Sequence, residues 1–214
     1  MSRIFLIPGL GADTRVYNNI DLKGFDVTRV DWIAPDSTDT LSTYTQKIVS
    51  QYNISNNSII IGNSLGGMIA IEIAKHLPVK KVILISSIKT IDEAPGYFKF
   101  FRRFPIYKII PGKAFTSVDS LVEPLFGHMS KADSWLFRDM LKKSSPVFIK
   151  WAMGAVLKWK NKTIPPNVIH ITGDRDLVFS YKRIKDAIIV KGGTHIMIFD
   201  KAQEINKILK SILN

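Results

Sequence analysis

A serine lies at the centre of a Gly-x-Ser-x-Gly pattern in the first third of the chain. Gly62, Ser64 and Gly66 follow the apolar run 58–61 and precede an apolar, helix-like run that ends near residue 76. A turn between a strand and a helix exposes the serine hydroxyl, and the glycines leave room for close backbone approach. The N–H groups at the start of the helix would stabilise negative charge beside that hydroxyl. The pattern therefore predicts that Ser64 is a nucleophile suited to acyl transfer.

Candidate partners for Ser64 follow near the C-terminus, in the order acid and then histidine. Asp174 and Asp176 follow one apolar strand-like run, and His195 follows the next run through a Gly-Gly pair. A histidine can take a proton from a serine as general base, and a carboxylate can orient that histidine. The other histidines lack a metal-ligand partner at useful spacing, so no metal site is predicted.

The chain order of serine, aspartate and histidine resembles that of the α/β-hydrolase family. The resemblance extends to the Pro-Gly-Leu-Gly turn at residues 8–11, where the family forms half of its oxyanion hole. Many relatives have His-Gly at the start of this turn, but the hole uses backbone N–H groups and does not require the histidine. The resemblance implies that the N–H groups of Leu10 and Leu65 hold the oxyanion, and that Gly9 and Asn63 line the substrate site.

The residues alone leave two candidates for the triad acid, because Asp174 and Asp176 both follow the strand-like run. The family pattern of a strand followed by Gly-x-x-Asp selects Asp176, with the apolar residues Leu177 and Val178 after it. Asp174, directly after Gly173, would then be a turn residue that binds nearby backbone N–H groups.

The resemblance implies a serine hydrolase that cleaves a carboxylic ester, or a thioester, through an acyl-enzyme on Ser64. The expected partner is a small-molecule ester. This chemistry needs no metal and no organic cofactor, and none is expected. Lyases and acyltransferases share the fold, and a ligand-binding or membrane-surface protein with a vestigial triad is a further alternative, because the fold alone does not choose among them.

Short apolar runs alternate with amphipathic stretches, which is typical of an α/β fold with a mostly parallel central sheet and helices on both faces. The 214 residues, 46% of them hydrophobic, suffice for one sizeable core. We assign that core to residues 1–87 and 167–214. Predicted strands lie near residues 3–7, 25–32, 58–61, 81–85, 167–172 and 186–190. Predicted helices lie near residues 41–53, 64–76 and 202–213.

Residues 88–166, here called the 88–166 segment, interrupt this alternation. Prolines at positions 95, 105, 111, 124 and 146 divide the segment, and helical stretches are predicted near residues 131–143 and 147–160. An insertion at this place in the family is a cap over the catalytic serine. The resemblance therefore predicts that the 88–166 segment is a helical cap that largely sets the substrate.

The 88–166 segment is basic and rich in aromatic residues. It carries 14 Lys and Arg against 6 Asp and Glu, in a chain of net charge +12, and it holds 8 of the 12 Phe and 3 of the 4 Trp. One interpretation is that the aromatic residues pack the cap and the charges face solvent. The other is that this surface meets an anionic membrane, or an anionic or lipid-like substrate. Nucleic acid is not expected, because no recognised nucleic-acid module accompanies the charge.

The sequence also bears on the compartment. There are no cysteines, which excludes disulfides, thiolate metal sites and a cysteine nucleophile. We find no secretory signal pattern and no apolar run near 18 residues. These features predict a cytoplasmic protein.

Overall fold

One six-stranded sheet organises the protein, of which the computed structural model describes residues 2–110 and 129–213. All neighbouring strands are parallel, so the predicted parallel sheet is confirmed. The strands are β1 (Ile4–Ile7), β2 (Val27–Arg29), β3 (Ile59–Asn63), β4 (Lys81–Ile85), β5 (Val168–Gly173) and β6 (Ala187–Val190). Their order across the sheet is β2-β1-β3-β4-β5-β6. Since β2 and β3 lie on opposite sides of β1, the order reverses at β1, and open α/β sheets bind their ligands at the carboxyl edge beside such a reversal.

Helices provide most of the connections between the parallel strands, as parallel pairing requires. Within residues 2–110 and 129–213, none of them is long and apolar enough to cross a membrane. They are α1 (Leu41–Gln51), α2 (Leu65–His76), α3 (Tyr97–Arg103), α4 (Lys131–Lys143), α5 (Pro146–Lys158), α6 (Met197–Asp200) and α7 (Ala202–Leu213).

The sheet is covered on both faces, as predicted. Successive side chains of a strand point to opposite faces, so Phe5 of β1 joins one hydrophobic cluster and Ile4 joins the other. The first cluster includes Ile48 of α1 and Ile69 of α2, whereas the second includes Ile205 of α7. All five residues of β3 are buried, as expected for a central strand of a parallel sheet.

The 88–166 segment supplies α3, α4 and α5, and its function as a cap stays a prediction. Phe148 of α5 stacks on Trp32 with ring centroids 4.8 Å apart and lies 6.1 Å from the ring of Tyr44 in α1. Asp139 of α4 forms an ion pair of 2.6 Å with Arg15, in the connection after β1. The predicted helices near residues 131–143 and 147–160 correspond to α4 and α5. Residues 111–128 of the segment lie outside the described residues.

The prediction of a strand over residues 25–32 is wrong at both ends, because β2 covers only Val27–Arg29. Beyond Val30, the backbone N–H groups bind side chains and not a neighbouring strand. Asp31 N–H donates to the hydroxyl of Tyr52 at 2.8 Å, and Ile33 N–H donates to the hydroxyl of Tyr44 at 3.1 Å. These tyrosines come from the α1 region, so long-range contacts end the strand.

Three helices also differ from the predictions at one or both ends. The predicted helix 64–76 begins one residue later, because Ser64 has a φ of 51° and cannot be helical. The predicted helix 147–160 is Pro146–Lys158, since Ser145 caps it by accepting the N–H of Phe148 at 3.3 Å. The predicted helix 41–53 ends at residue 51. The short helices α3 and α6 were not predicted from the sequence.

Close backbone contacts fix the turn between β3 and α2. A β-carbon placed on Gly66 would lie 2.1 Å from the carbonyl oxygen of Ile7. A β-carbon on Gly62 would lie 2.2 Å from the carbonyl oxygen of Gly66. Backbone cannot yield as a flexible side chain can, so only glycine fits at these two positions.

We therefore expect Gly66→Ala to lower the free energy of unfolding by about 3 kcal/mol, because the added carbon overpacks the contact of α2 with β1. Gly96→Ala is the matched control, since a β-carbon on Gly96 meets nothing within 4 Å. That variant should stay within about 0.5 kcal/mol of the parent protein. Urea unfolding followed by circular dichroism measures both, and equal stabilities would contradict the argument.

Candidate active site

Ser64 is held in a strained turn between β3 and α2. Its φ of 51° and ψ of −114° lie outside the helical and extended regions, and such a conformation costs on the order of 1–3 kcal/mol. The surroundings hold it in place. Ser64 N–H donates to the carbonyl of Ile85 at 3.0 Å, and the Ser64 carbonyl accepts the hydroxyl of Ser87 at 2.7 Å. The side chain is consequently presented at the carboxyl edge of the sheet.

His195 joins Ser64 to Asp176. Its Nε2 lies 3.0 Å from Ser64 Oγ, and its Nδ1 lies 2.9 Å from Asp176 Oδ2. An ionised carboxylate only accepts, so Nδ1 must donate to it, which leaves Nε2 able to accept the serine proton. The exposed fractions of His195 and Asp176 are only 5% and 3%. The three residues therefore form a hydrogen-bonded relay in which the histidine and the acid are shielded from water.

The two candidate acids occupy different positions. Asp176 Oδ1 accepts the N–H groups of Val178 and Phe179, each at 2.8 Å, which directs Oδ2 to His195. Asp174 Oδ1 instead accepts the N–H of Gly192 at 2.6 Å. Asp174 thus ties its own loop to the loop that carries the histidine, and Asp176 is the acid in contact with His195.

The two predicted oxyanion donors belong to segments that lie next to Ser64. Leu65 is the first residue of α2, where the helix dipole favours negative charge. Leu10 follows Gly9, and a β-carbon on Gly9 would lie only 3.3 Å from Ser64 Cβ, so the loop after β1 runs directly beside the serine. Within the described residues, neither the Leu10 N–H nor the Leu65 N–H donates to another protein group. That these two groups hold an oxyanion stays a prediction.

Asn63, which the sequence predicts in the substrate-binding set, faces inward. Its exposed fraction is 6%, and its Nδ2 donates to the carbonyl of Ile85 at 3.2 Å. The same carbonyl accepts the Ser64 N–H, so Asn63 and Ser64 are fixed to the end of β4 together. Contact of Asn63 or Gly9 with a substrate stays a prediction.

Comparison with known proteins places this geometry in a family. A sequence profile described as the alpha/beta hydrolase family matches residues 2–208, nearly the whole chain. The protein belongs to the α/β hydrolase family. A search of curated proteins gives no match.

Solved structures show the same fold at low sequence identity. An esterase from Thermogutta terrifontis is 14% identical and has a TM-score of 0.76, with 100% of this chain and 89% of that chain covered. An enol-lactonase from Burkholderia xenovorans LB400 is 18% identical, with a TM-score of 0.74 and 99% and 91% coverage. An esterase from Exiguobacterium antarcticum is 16% identical, with a TM-score of 0.75 and 99% and 91% coverage.

Sequence reasoning missed several residues that support the relay of this α/β hydrolase. The ring of Phe179 packs edge-on against His195 with centroids 5.4 Å apart, and Phe98 of α3 packs against Phe179 at 6.3 Å. The Tyr97 hydroxyl donates to the carbonyl of Val178 at 2.9 Å. No local pattern marks these residues, because they come from distant parts of the chain.

A buried histidine lies behind the relay. His170 of β5 is 1% exposed, in the same part of the core as Lys89 and Asp176. Burial, followed by the positive charge of Lys89, lowers the pKa of His170 to about 3. Lys89 itself is buried and paired with Glu93, with Nζ 3.2 Å from Oε1. His170 is therefore a neutral core residue at physiological pH.

The lowered pKa of His170 predicts a stability that depends on pH. His170 takes up a proton near pH 6.5 in the unfolded chain and only near pH 3 in the folded chain. The free energy of unfolding therefore decreases as the pH is lowered from 6.5 to 3. His170→Leu should remove this pH dependence. On going from pH 7 to pH 5, the free energy of unfolding of the parent protein should fall by about 2 kcal/mol more than that of the variant. Urea unfolding at the two pH values measures it. His76→Gln, at an exposed position, is the control and should keep the parent's dependence. Parallel behaviour of His170→Leu and the parent would contradict the assignment.

Proposed function

We propose that this α/β hydrolase cleaves a carboxylic ester, or a thioester, through an acyl-enzyme on Ser64. The observation that carries the proposal is the relay of Ser64 Oγ, His195 and Asp176, with separations of 3.0 Å and 2.9 Å. A nucleophile, its base and an orienting carboxylate in this arrangement are the components of serine acyl transfer. The esterases and the enol-lactonase among the solved structures of this fold support the same class of reaction.

In the first half of the reaction, His195 Nε2 takes the proton of Ser64 as Oγ attacks the ester carbonyl. The carbonyl oxygen becomes negative, and the N–H groups of Leu10 and Leu65 donate to it. Asp176 stabilises the imidazolium through Nδ1 and keeps its ring oriented. His195 then gives the proton to the departing alcohol or thiol, which leaves an ester between the acyl group and Ser64.

In the second half, water replaces the alcohol. His195 takes a proton from the water as its oxygen attacks the acyl carbonyl, and the same two N–H groups hold the new oxyanion. Collapse of this intermediate releases the carboxylic acid, and the proton returns to Ser64 Oγ. An acyltransferase would use a second alcohol in place of water, and a lyase would form no acyl-enzyme, so product analysis distinguishes these alternatives.

The strained φ of 51° at Ser64 supports an enzyme over a ligand-binding protein. A binding pocket needs no backbone strain at a serine. A nucleophile does, because the turn lifts the hydroxyl towards its base and towards two N–H groups at once.

Ser64→Ala should abolish hydrolysis of p-nitrophenyl esters and labelling by a fluorophosphonate, while thermal unfolding stays close to that of the parent. Triad members act as a unit, so His195→Ala should cost about as much, on the order of 10⁴ to 10⁶ in kcat. Ser211→Ala, in α7 on the other face of the sheet, is the control and should keep full activity. Ester hydrolysis that survives in Ser64→Ala would disprove the proposal, and a series of acyl chain lengths would define the substrate.

Asp176→Asn should lower kcat by roughly 10⁴, because the amide favours the wrong imidazole tautomer. Asp174→Asn is the matched control. Its amide oxygen can still accept the Gly192 N–H, so the loss should be about tenfold or less. Steady-state kinetics of the two purified variants on the same ester provide the test. The opposite ranking would transfer the function of the acid to Asp174.

A further inference from the structure

The surface of α3 and of the turn after it exposes a group of large apolar side chains. Phe100 is 51% exposed, Phe104 55% and Ile109 82%. Isolated exposed apolar residues are ordinary, but a contiguous group of them marks an interaction site. We call the whole group the apolar α3 face. Its members are Tyr97, Phe100, Phe101, Phe104, Ile106 and Ile109.

The aromatic members of the apolar α3 face contact one another. The ring of Phe100 lies 5.4 Å from that of Phe101 and 5.3 Å from that of Phe104, measured between centroids. The inner side of the same stretch is anchored, because Phe98 and Tyr107 are buried in the main core cluster. The helix is therefore held firmly to the protein while its outer rings face solvent.

Basic side chains surround the apolar α3 face. Within the described residues, none of them forms an ion pair. The sequence has no Asp or Glu in residues 94–110 or 151–166, so carboxylates of these stretches do not offset the charge. We call this group the basic rim. It consists of the exposed residues Lys99, Arg103, Lys108, Lys158, Lys160 and Lys162.

The apolar α3 face and the basic rim are one continuous surface. A depression of about 410 Å³ is lined by Phe101 together with Lys108, Lys158 and Lys160. The same three lysines also line an adjoining cleft of about 1150 Å³, and Lys162 lines that cleft too.

Arg102 joins α3 to the end of α5 and is not a member of the basic rim. Its guanidinium donates to the carbonyl of Leu157 and, at 3.1 Å, to that of Trp159, at the end of α5. The end of α5 thus lies against α3.

We propose that the apolar α3 face and the basic rim dock the protein on an anionic phospholipid surface. Aromatic rings would enter the boundary between headgroups and acyl chains, and the lysines would contact the phosphate groups around them. Membrane-surface helices combine these two features, an apolar face and flanking basic residues. Each basic residue near an anionic bilayer adds to the attraction, and salt weakens it.

The arrangement favours a membrane over other occupants. A nucleic acid would pair with the lysines but would leave the six apolar side chains in water. A second copy of the chain, related by a two-fold axis, would bring two basic rims together, and like charges repel. An anionic bilayer would bury the apolar α3 face and would pair with the charges of the basic rim. The docking does not depend on the proposed ester hydrolysis, because none of these residues belongs to the relay.

Co-sedimentation with vesicles tests the proposal. The protein should bind vesicles of phosphatidylglycerol and phosphatidylcholine, bind phosphatidylcholine alone at least about tenfold more weakly, and be released by salt. The triple variant Lys158→Gln, Lys160→Gln, Lys162→Gln and the triple variant Phe100→Ser, Phe104→Ser, Ile109→Ser should each lose at least about tenfold in binding.

Two control variants make the test specific. Lys191→Gln, Lys207→Gln, Lys210→Gln removes three exposed lysines outside the basic rim, and Trp135→Ser removes an aromatic side chain that is 68% exposed on α4. Both should bind like the parent. Hydrolysis of a short p-nitrophenyl ester and thermal unfolding check that each variant is folded.

Three results would overturn the proposal. One is equal binding to anionic and neutral vesicles, and another is parent-like binding by both triple variants. The third is binding to single-stranded DNA, but not to vesicles, that the lysine variant loses and the aromatic variant keeps. That last pattern would assign the basic rim to nucleic acid.

Discussion

The contact between the turn at Ser64 and the end of β1 is the constraint on which the site depends. A β-carbon on Gly66 would lie 2.1 Å from the Ile7 carbonyl oxygen, so α2 starts directly against the neighbouring strand. This closeness forces the chain to reverse sharply, and Ser64 takes up the reversal with a positive φ. It also brings the loop after β1 beside the serine. One packing constraint therefore positions the serine hydroxyl and both predicted oxyanion donors.

A second close contact positions the other half of the relay. A β-carbon on Gly173 would lie 2.0 Å from the carbonyl oxygen of Gly193, and the same carbonyl accepts the Arg175 N–H at 2.9 Å. The loops after β5 and β6 are thereby joined before Asp176 and His195 meet. Because β4 separates β3 from β5, the two halves are built independently on one sheet. The distance of 3.0 Å between Ser64 and His195 is then set by loops that these close contacts hold to the ends of stiff strands.

Local patterns in the sequence were sufficient for the sheet and for the positions of Ser64 and His195, because each follows a strand and is marked by glycine. The choice of Asp176 over Asp174 needed the family resemblance as well. Local patterns were insufficient where side chains from distant parts of the sequence determine where an element ends or which way a residue points. The end of β2 is set by tyrosine hydroxyls of the α1 region, and Phe179 is directed to His195 by tertiary packing. Charge counting in the 88–166 segment likewise could not separate Arg102, which binds carbonyls, from the lysines that face solvent.

The relay contains one carboxyl group, that of Asp176, and the ionisable groups behind it add little net charge. Behind it, the buried Lys89 is neutralised by Glu93, and burial together with Lys89 keeps His170 uncharged at physiological pH. A protonated His170 would compete with His195 for the electrostatic influence of Asp176. In a medium of low dielectric constant, such a competitor would weaken stabilisation of the imidazolium on His195. Asp176 therefore stabilises His195 through the direct contact of 2.9 Å with Nδ1, and a neutral His170 adds no competing charge.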